Sequence, residues 1–65
     1  MGISISAYIK VVRVERSKLM LVGTGFPIAH IADTFHFASS SHYSEAFREI
    51  TGKTPQQYRL ENQKF

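Results

Sequence analysis

The stretch FASSSHYSEAFREITG, residues 37–52, decides the fold. Apolar side chains recur in it at the three- and four-residue spacing of a helix, so that they share one face. These side chains are Tyr43, Ala46, Phe47 and Ile50. Ser39 is a good N-cap, because its hydroxyl can accept a hydrogen bond from a free N–H of the first turn, and Gly52 suits the end of a helix. The stretch therefore predicts an amphipathic helix from Ser39 to Ile50.

A shorter apolar stripe comes before this helix. Pro27 suits a first helical turn, because its missing N–H would have no partner there. Ile28, Ile31 and Ala32 follow at helical spacing, and residues 35–37 then have the features of a turn. A short helix, a tight turn and a second helix with a polar leading end are typical of a helix-turn-helix, which we expect over residues 27–50.

Residues 3–22 predict a longer helix in front of this motif. Many of them are β-branched, and residues 12–15 alternate as in a strand. The nineteen residues from Ser4 to Val22 contain no Gly or Pro, however, and are too many for a typical strand. Thr54 and Pro55, a cap and a first-turn proline, predict a closing helix over residues 54–62. The expected fold class is all-α, a homeodomain-like helix-turn-helix bundle of about four helices in a single domain, residues 1–65.

Two sets of residues are expected to form the core. The first is a stripe along the long helix, made of Ile5, Tyr8, Val12, Leu19 and Val22. The second is the set of aromatic residues Tyr8, Phe26, Phe35, Phe37, Tyr43, Phe47 and Tyr58. Arg13, Arg16 and Lys18 are expected on a solvated face of the long helix.

The composition narrows the function classes. The 65 residues carry eight Lys and Arg against five Asp and Glu, a net charge of +3 that suits a nucleic-acid partner without requiring one. There is no Cys, and the three His lie six residues apart, about 240° around a helix, so we expect no metal and no cofactor. No Ser-His-acid order, carboxylate pair or phosphate loop has catalytic spacing, so we expect no enzyme activity. The longest apolar run, residues 19–22, is too short to span a bilayer, so we expect a soluble, cytoplasmic protein with no membrane partner.

The polar side of the second motif helix holds the candidate site. In a helix-turn-helix the leading residues of that helix meet the base edges in the DNA major groove. Hydroxyl groups can donate to or accept from either type of base, and an arginine contacts phosphate or guanine. The candidate DNA-binding residues are Ser40, Ser41, His42, Ser44, Glu45 and Arg48. Lys53 and Arg59 are further candidates for the DNA backbone, and the helix start at Thr54 and Pro55 is a candidate anion site.

Several blocks of this sequence resemble one family. Ile28 to Ala32, Phe37 to Arg48 and Gly52 to Arg59 are similar to I-x-x-I-A, F-x-S-x-S-x-F-S-R-x-F-K and G-x-[ST]-P-x-x-[YF]-R. These patterns belong to transcription regulators of the AraC/XylS type. Upstream, Gly2, Ser4, Tyr8 and Arg13 resemble the family's G-x-S-x-x-x-Y-x-x-x-x-R, and Arg16-Ser17 resembles its R-A positions. The resemblance covers essentially the whole chain in register.

The resemblance implies a role for each part of the chain. Members of the family carry two helix-turn-helix units, joined by a long central helix, that dock in successive major grooves of double-stranded DNA. Residues 3–22 resemble the central helix and the rest resembles the second unit, so that a first unit would precede Gly2. The alternative interpretation is a protein-interaction module that contacts RNA polymerase or self-associates weakly. The apolar residues Ile9, Val11 and Val14, beyond the expected core stripe, motivate that alternative.

Three departures from the family pattern bear on DNA affinity. His36 stands where the family has Gly, in the turn that enters the second motif helix, and a side chain is strained there if φ is positive. Glu45 stands where the family has Arg or Lys; its carboxylate repels phosphate but can accept a hydrogen bond from cytosine N4. Gly23 to Phe26 loosens the exit from the central helix. Together these departures predict weak DNA binding by this unit alone.

Overall fold

The computed structural model describes residues 4–62, which form four helices and no strand. The helices are α1 (Ile5–Gly23), α2 (Ile28–Thr34), α3 (Ser40–Thr51) and α4 (Pro55–Asn62). The expected all-α bundle is thereby confirmed. Gly2 and Ile3, which belong to the upstream resemblance and to the expected central helix, lie outside the described residues.

Local hydrogen bonds explain where α1 begins and ends. The Ser4 hydroxyl accepts a hydrogen bond from the backbone N–H of Ala7 at 3.1 Å, which caps the first turn. At the other end, the Thr24 hydroxyl donates to the carbonyl oxygen of Met20 at 2.7 Å, and the Thr24 N–H bonds the same oxygen. A helix of 19 residues forms in spite of the β-branched residues, because no Gly or Pro occurs before its last residue, Gly23.

The buried face of α1 differs from the expected stripe. Val14, Ser17 and Leu21 are fully buried, at the i, i+3, i+7 spacing of one helix face. Ile5 and Leu19, by contrast, are 78% and 79% exposed, so the stripe predicted from Ile5 to Val22 is wrong. The hydrophobic pattern did not indicate this face, because Ser17 lies in the middle of it and interrupts the run of apolar residues.

Five of the seven aromatic residues that we expected in the core lie in or against it. Phe37, Tyr43 and Phe47 are buried, with ring centroids 5.1 Å apart for the first pair and 5.8 Å for the second. The Tyr58 ring of α4 continues the row, 5.3 Å from Phe47, and Phe35 packs against the same cluster. This row of rings links the α2–α3 turn, α3 and α4. The apolar face predicted for α3 is confirmed.

Two of the expected core aromatics lie at the surface. Tyr8 is 60% exposed and Phe26 is 44% exposed, so their assignment to the core was wrong. Tyr8 lies on the first half of α1, and Phe26 lies in the connection between α1 and α2, where its ring contacts that of His30 at 4.7 Å between centroids.

A buried pair of hydroxyl groups joins α1 to α3. The Ser17 hydroxyl lies 2.7 Å from the carbonyl oxygen of Val14 and 2.8 Å from the Tyr43 hydroxyl. Because the one Ser17 proton is donated to the carbonyl, the Tyr43 hydroxyl donates to Ser17. Burial raises the pKa of Tyr43, and the hydrogen bond to Ser17 and the charge of Arg59 offset only part of this increase.

The turn between α2 and α3 closes with two backbone hydrogen bonds. The N–H of Phe37 donates to the carbonyl of Ala32 at 2.9 Å, and the N–H of His36 donates to that of Asp33 at 3.1 Å. This is the pairing of a Schellman motif, in which the residue after the cap is left-handed and is usually glycine. Here that residue is His36, with φ of 66°. The condition for strain at this departure from the family pattern is therefore met.

Arg59 holds the connection between α1 and α2. Its Nε donates to the carbonyl of Leu21 at 2.9 Å and its Nη2 donates to that of Phe26 at 2.6 Å. The guanidinium thus satisfies a carbonyl in the last turn of α1, which has no partner within the helix. Two of the five donors of Arg59 are used inside the fold, so fewer remain for the DNA backbone, and that contact stays a prediction.

Candidate nucleic-acid interface

The outward face of α3 lies opposite its buried aromatic face. Ser41, Glu45 and Arg48, spaced i, i+4 and i+7, are exposed and share one line along the helix. Ser40 and Ser44 lie at one edge of this line and are half-buried. Because Tyr43 and Phe47 anchor the opposite side, the orientation of the outward face is fixed by the core.

Four of the predicted site residues border one shallow, open depression of about 490 Å³ between α2 and α3. They are Ser40, Ser41, Ser44 and Glu45. The other wall is formed by Ile28 and Ala29 of α2, which the sequence reasoning did not assign to the site. The signal that could have found these two is the motif itself, since the first helix of a helix-turn-helix lies across the second.

The hydroxyl groups on this face differ in their availability. Ser39, the N-cap of α3, accepts a hydrogen bond from the N–H of His42 at 3.1 Å and so serves the helix itself. Among the described residues, the hydroxyls of Ser40, Ser41 and Ser44 have no hydrogen bond within the chain. These three hydroxyls can therefore donate to or accept from a bound molecule.

The other two predicted site residues lie outside this depression. Arg48 continues the outward face about one turn beyond Glu45. His42 lies on the opposite edge of α3, towards α1, where its ring meets the edge of Phe37 with 5.8 Å between centroids. The structure thus brings Ser40, Ser41, Ser44 and Glu45 together around the depression, whereas His42 lies outside it and adjoins Glu45 from the other side.

Ion pairs use up several of the positive charges. Lys10 pairs with Glu49 at 3.1 Å, Lys18 pairs with Glu15 at 2.9 Å, and Lys53 pairs with Glu61. Over residues 4–62, the arginines that form no ion pair and are not used by the fold are Arg13, Arg16 and Arg48. Arg48 is thus the cation that α3 itself presents, with Glu45 as the carboxylate three residues before it.

The start of α4, which we expected to be an anion site, is closed by its own side chains. The N–H of Thr54 donates to Oε1 of Gln57 at 3.1 Å, and the N–H of Gln57 donates to the Thr54 hydroxyl at 3.2 Å. This reciprocal arrangement is a capping box, which satisfies two of the N–H donors that an anion would use. The anion site at Thr54 and Pro55 therefore has fewer free donors than expected and stays a prediction. Lys53 forms an ion pair with Glu61, which weakens the attraction of its ammonium group for the DNA backbone.

No helix within residues 4–62 has the length and apolar composition that crossing a membrane requires.

Comparisons with known proteins agree on one class. A family described as helix-turn-helix domain matches residues 1–61. The Msm operon regulatory protein of Streptococcus mutans is 38% identical over 62 residues, which is 95% of this chain and 22% of that protein. The HTH-type transcriptional activator RhaR of Yersinia pseudotuberculosis is 36% identical over 58 residues, 89% of this chain and 20% of that protein. The chain spans about one fifth of the length of these relatives. No solved structure matches it significantly.

Proposed function

Because the chain belongs to the AraC/XylS-type helix-turn-helix family of transcription regulators, we propose that α3 is the helix with which it reads the DNA major groove. DNA binding in transcription regulation is the function that this membership gives the chain. The observation that carries the proposal is the outward line of Ser41, Glu45 and Arg48, held in place by the buried rings of Tyr43 and Phe47. The matched relatives are bacterial, and since bacterial DNA lies in the cytoplasm, we also propose a cytoplasmic location.

Each group on α3 is suited to a different part of the DNA. The hydroxyls of Ser40, Ser41 and Ser44 suit base edges, because a hydroxyl can donate or accept. The Glu45 carboxylate accepts hydrogen bonds only, which favours the N4 amine of cytosine. Arg48 suits guanine or a backbone phosphate. His42, on the far edge of the helix, is assigned to the backbone rather than to the bases.

The first half of α1 supports a tandem arrangement, in which this chain forms the second unit. The start of α1 has the same pattern as the start of α4. In α1 the hydroxyl cap Ser4 is followed four residues later by Tyr8, and in α4 the cap Thr54 is followed four residues later by Tyr58. Tyr58 packs on Phe47, whereas Tyr8 is 60% exposed among the described residues. We propose that Tyr8 packs in the same way on the core of a first helix-turn-helix unit. We propose that weak self-association uses this same face, and contact with RNA polymerase stays a prediction.

The test is DNA binding by matched variants. A preferred duplex is first selected from randomised DNA, and binding is measured by fluorescence anisotropy at several salt concentrations. Arg48→Gln is expected to weaken binding about tenfold, the value of one good contact to a base or phosphate. Arg16→Gln removes the same charge on the exposed face of α1 and is expected to change the affinity less than about twofold. Glu45→Gln is expected to change the base preferred at one position and to leave the others unchanged.

Two outcomes would refute the proposal. One is a chain that is helical by circular dichroism but binds no duplex even at low salt. The other is an equal loss of affinity in Arg48→Gln and Arg16→Gln, which would mean that charge alone, and not the face of α3, determines binding. One unit neutralises few phosphates, and each phosphate contact adds about 0.9 to the slope of the logarithm of affinity against the logarithm of salt concentration. The affinity is therefore expected to fall only gently with salt.

A further inference from the structure

A second concave surface lies on the other side of α3. This cleft has a volume of about 230 Å³ and is formed by the first half of α1, the α2–α3 turn and the first turn of α3. It is lined by Ser6, Lys10, Arg13, His36, Phe37 and His42. None of the residues that border the depression between α2 and α3 lines it.

The lining of the cleft is suited to a negative charge. Lys10, Arg13 and the two imidazoles all donate hydrogen bonds, and the Ser6 hydroxyl can do so as well. No carboxylate is part of the lining, and the nearest partner of a lining cation is Glu49, 3.1 Å from Lys10. Arg13 forms no ion pair within residues 4–62. The cleft thus gathers positive groups from three segments of the chain.

Its base and one wall are held in place by the core. Phe37 is only 8% exposed, so one part of the lining is an apolar ring fixed in the core. His42 stands with its ring against the edge of Phe37, and its own N–H is fixed by the Ser39 cap.

The backbone of His36 gives an independent reason to assign a function here. Its φ of 66° is strained for a residue with a Cβ, and the family pattern has Gly at this position. Strain of this kind persists chiefly where the residue has a function. Since the His36 side chain lines the cleft, the strained backbone keeps an imidazole at a site rich in hydrogen-bond donors.

We propose that this cleft binds a phosphate-type oxyanion through Lys10, Arg13, His36 and His42. Two sources have this chemistry: a backbone phosphate of the DNA that α3 reads, and a free anion. If the ligand is a DNA phosphate, the cleft is a second DNA contact, and this inference rests on the proposed function. With a free anion it is an independent site.

Binding in this cleft depends on pH through its imidazoles. An imidazole gains a positive charge and a second donor as the pH falls below neutral. The groups facing His36 are Lys10 and Arg13 of α1 and His42 of α3. On its other side, His42 borders Glu45 and Glu49. The anion should therefore bind more tightly at lower pH.

The test is a titration of the chain with sodium sulfate, followed by NMR at constant ionic strength. Sulfate is chosen because its charge does not change between about pH 6 and pH 8, where an imidazole titrates. Saturable shifts are expected at the ring signals of His36 and His42, with an affinity several-fold higher at the lower pH. Arg13→Gln is expected to weaken sulfate binding about fivefold or more. The matched control is Arg16→Gln, on the same helix but outside the cleft, which should change it less than about twofold.

A second pair of variants separates the imidazole from the backbone. His36→Gly and His36→Ala both lack the imidazole, but only the glycine relieves the strain at positive φ. Both are expected to weaken sulfate binding to the same extent. An unchanged affinity in both would overturn the role of His36.

The DNA arm of the experiment identifies the source of the anion. If it is a DNA phosphate, Arg13→Gln weakens binding of the selected duplex and lowers the salt slope by about one, and Arg16→Gln does not. If Arg13→Gln weakens sulfate binding but leaves DNA affinity unchanged, the ligand is a free anion. Shifts that stay linear with sulfate, or that saturate equally in Arg13→Gln and Arg16→Gln, overturn the proposal. Saturable sulfate binding by a chain that binds no DNA would refute the proposed function alone.

Discussion

His36 closes α2 in a conformation that favours glycine. An L-residue in the left-handed region costs about 1–2 kcal/mol, and the loss of chain entropy by a glycine offsets part of this difference. His36→Gly is therefore expected to raise the free energy of unfolding by about 0.5–1 kcal/mol. His36→Ala keeps the Cβ and should give no such gain. Urea unfolding followed by circular dichroism measures both, and equal stability of the two variants would contradict the strain argument.

The Ser17 and Tyr43 hydroxyls act as a pair. They occupy positions where the family pattern has Ala and Phe, so two apolar residues are replaced by two that bond each other at 2.8 Å. Ser17→Ala leaves the buried Tyr43 hydroxyl without an acceptor and is expected to cost about 2 kcal/mol. Tyr43→Phe should cost less, because Ser17 keeps its bond to Val14.

A double-mutant cycle tests this pair. The variant with both Ser17→Ala and Tyr43→Phe is expected to be more stable than the sum of the single changes by about 1 kcal/mol, because no buried polar atom is left without a partner. Free energies of unfolding in urea provide the four corners of the cycle. Additive single changes would mean that the hydrogen bond contributes no coupling.

At the scale of the elements, α3 was the most predictable and α1 the least. The caps Ser39 and Gly52 and a single apolar face define α3 from its own sequence. In α1, apolar residues occur all around the helix, so several stripes fit the pattern equally well. Which face is buried depends on where α3 and α4 pack, and the true face contains Ser17, whose burial requires Tyr43 as a partner 26 residues away. That information is absent from local periodicity.

Arg59 stabilises the contact between α4 and the α1–α2 connection. Its two bonds to the backbone carbonyls of Leu21 and Phe26 involve a charged donor; the bond to Leu21 is partly buried and the bond to Phe26 is exposed. A hydrogen bond to a charged group contributes about 1.5–3 kcal/mol, and the partly buried one has the larger effect. Arg59→Gln is expected to lower the free energy of unfolding by about 2 kcal/mol. Lys53→Gln, which removes a cation from an exposed ion pair, should cost less than about 0.5 kcal/mol. Equal losses in the two variants would show that charge, and not the backbone bonds, is responsible.

At the scale of the whole molecule, Tyr43 makes the free energy of unfolding decrease as the pH rises in the alkaline range. Its pKa is raised in the folded chain, chiefly by burial. As the pH rises past about 10, the unfolded chain loses this proton first, so the free energy of unfolding falls. Stability is thus complete below the unfolded pKa and decreases above it.

The variant Tyr43→Phe tests this dependence. Between about pH 9 and pH 11, wild type is expected to lose more stability than Tyr43→Phe, which lacks the phenol. Tyr8→Phe, at a ring that is 60% exposed, is the matched control and should follow the wild type. The measurement is the urea midpoint at each pH. Parallel curves for wild type and Tyr43→Phe would contradict the prediction.

The two surfaces of the molecule differ in how far the sequence predicted them. The outward face of α3 follows from one helix and its periodicity, so Ser41, Glu45 and Arg48 could be found without a structure. The cleft at His36 joins residues of α1, a turn and α3, and only the packed chain brings them together. Arg13, which the sequence assigned to a solvated helix face, lines that cleft for this reason.

The bonds of Arg59 also have a consequence for synthesis on the ribosome. Arg59 is translated 38 residues after Leu21 and 33 residues after Phe26, the two residues whose carbonyls it holds. The motif helices and α1 therefore leave the exit tunnel before the side chain that joins α4 to α1 and to the α1–α2 connection, and this contact is expected to form only after residue 59 has emerged. A force-sensing arrest peptide fused at increasing distances should report this late step in the wild type and lose it in Arg59→Gln.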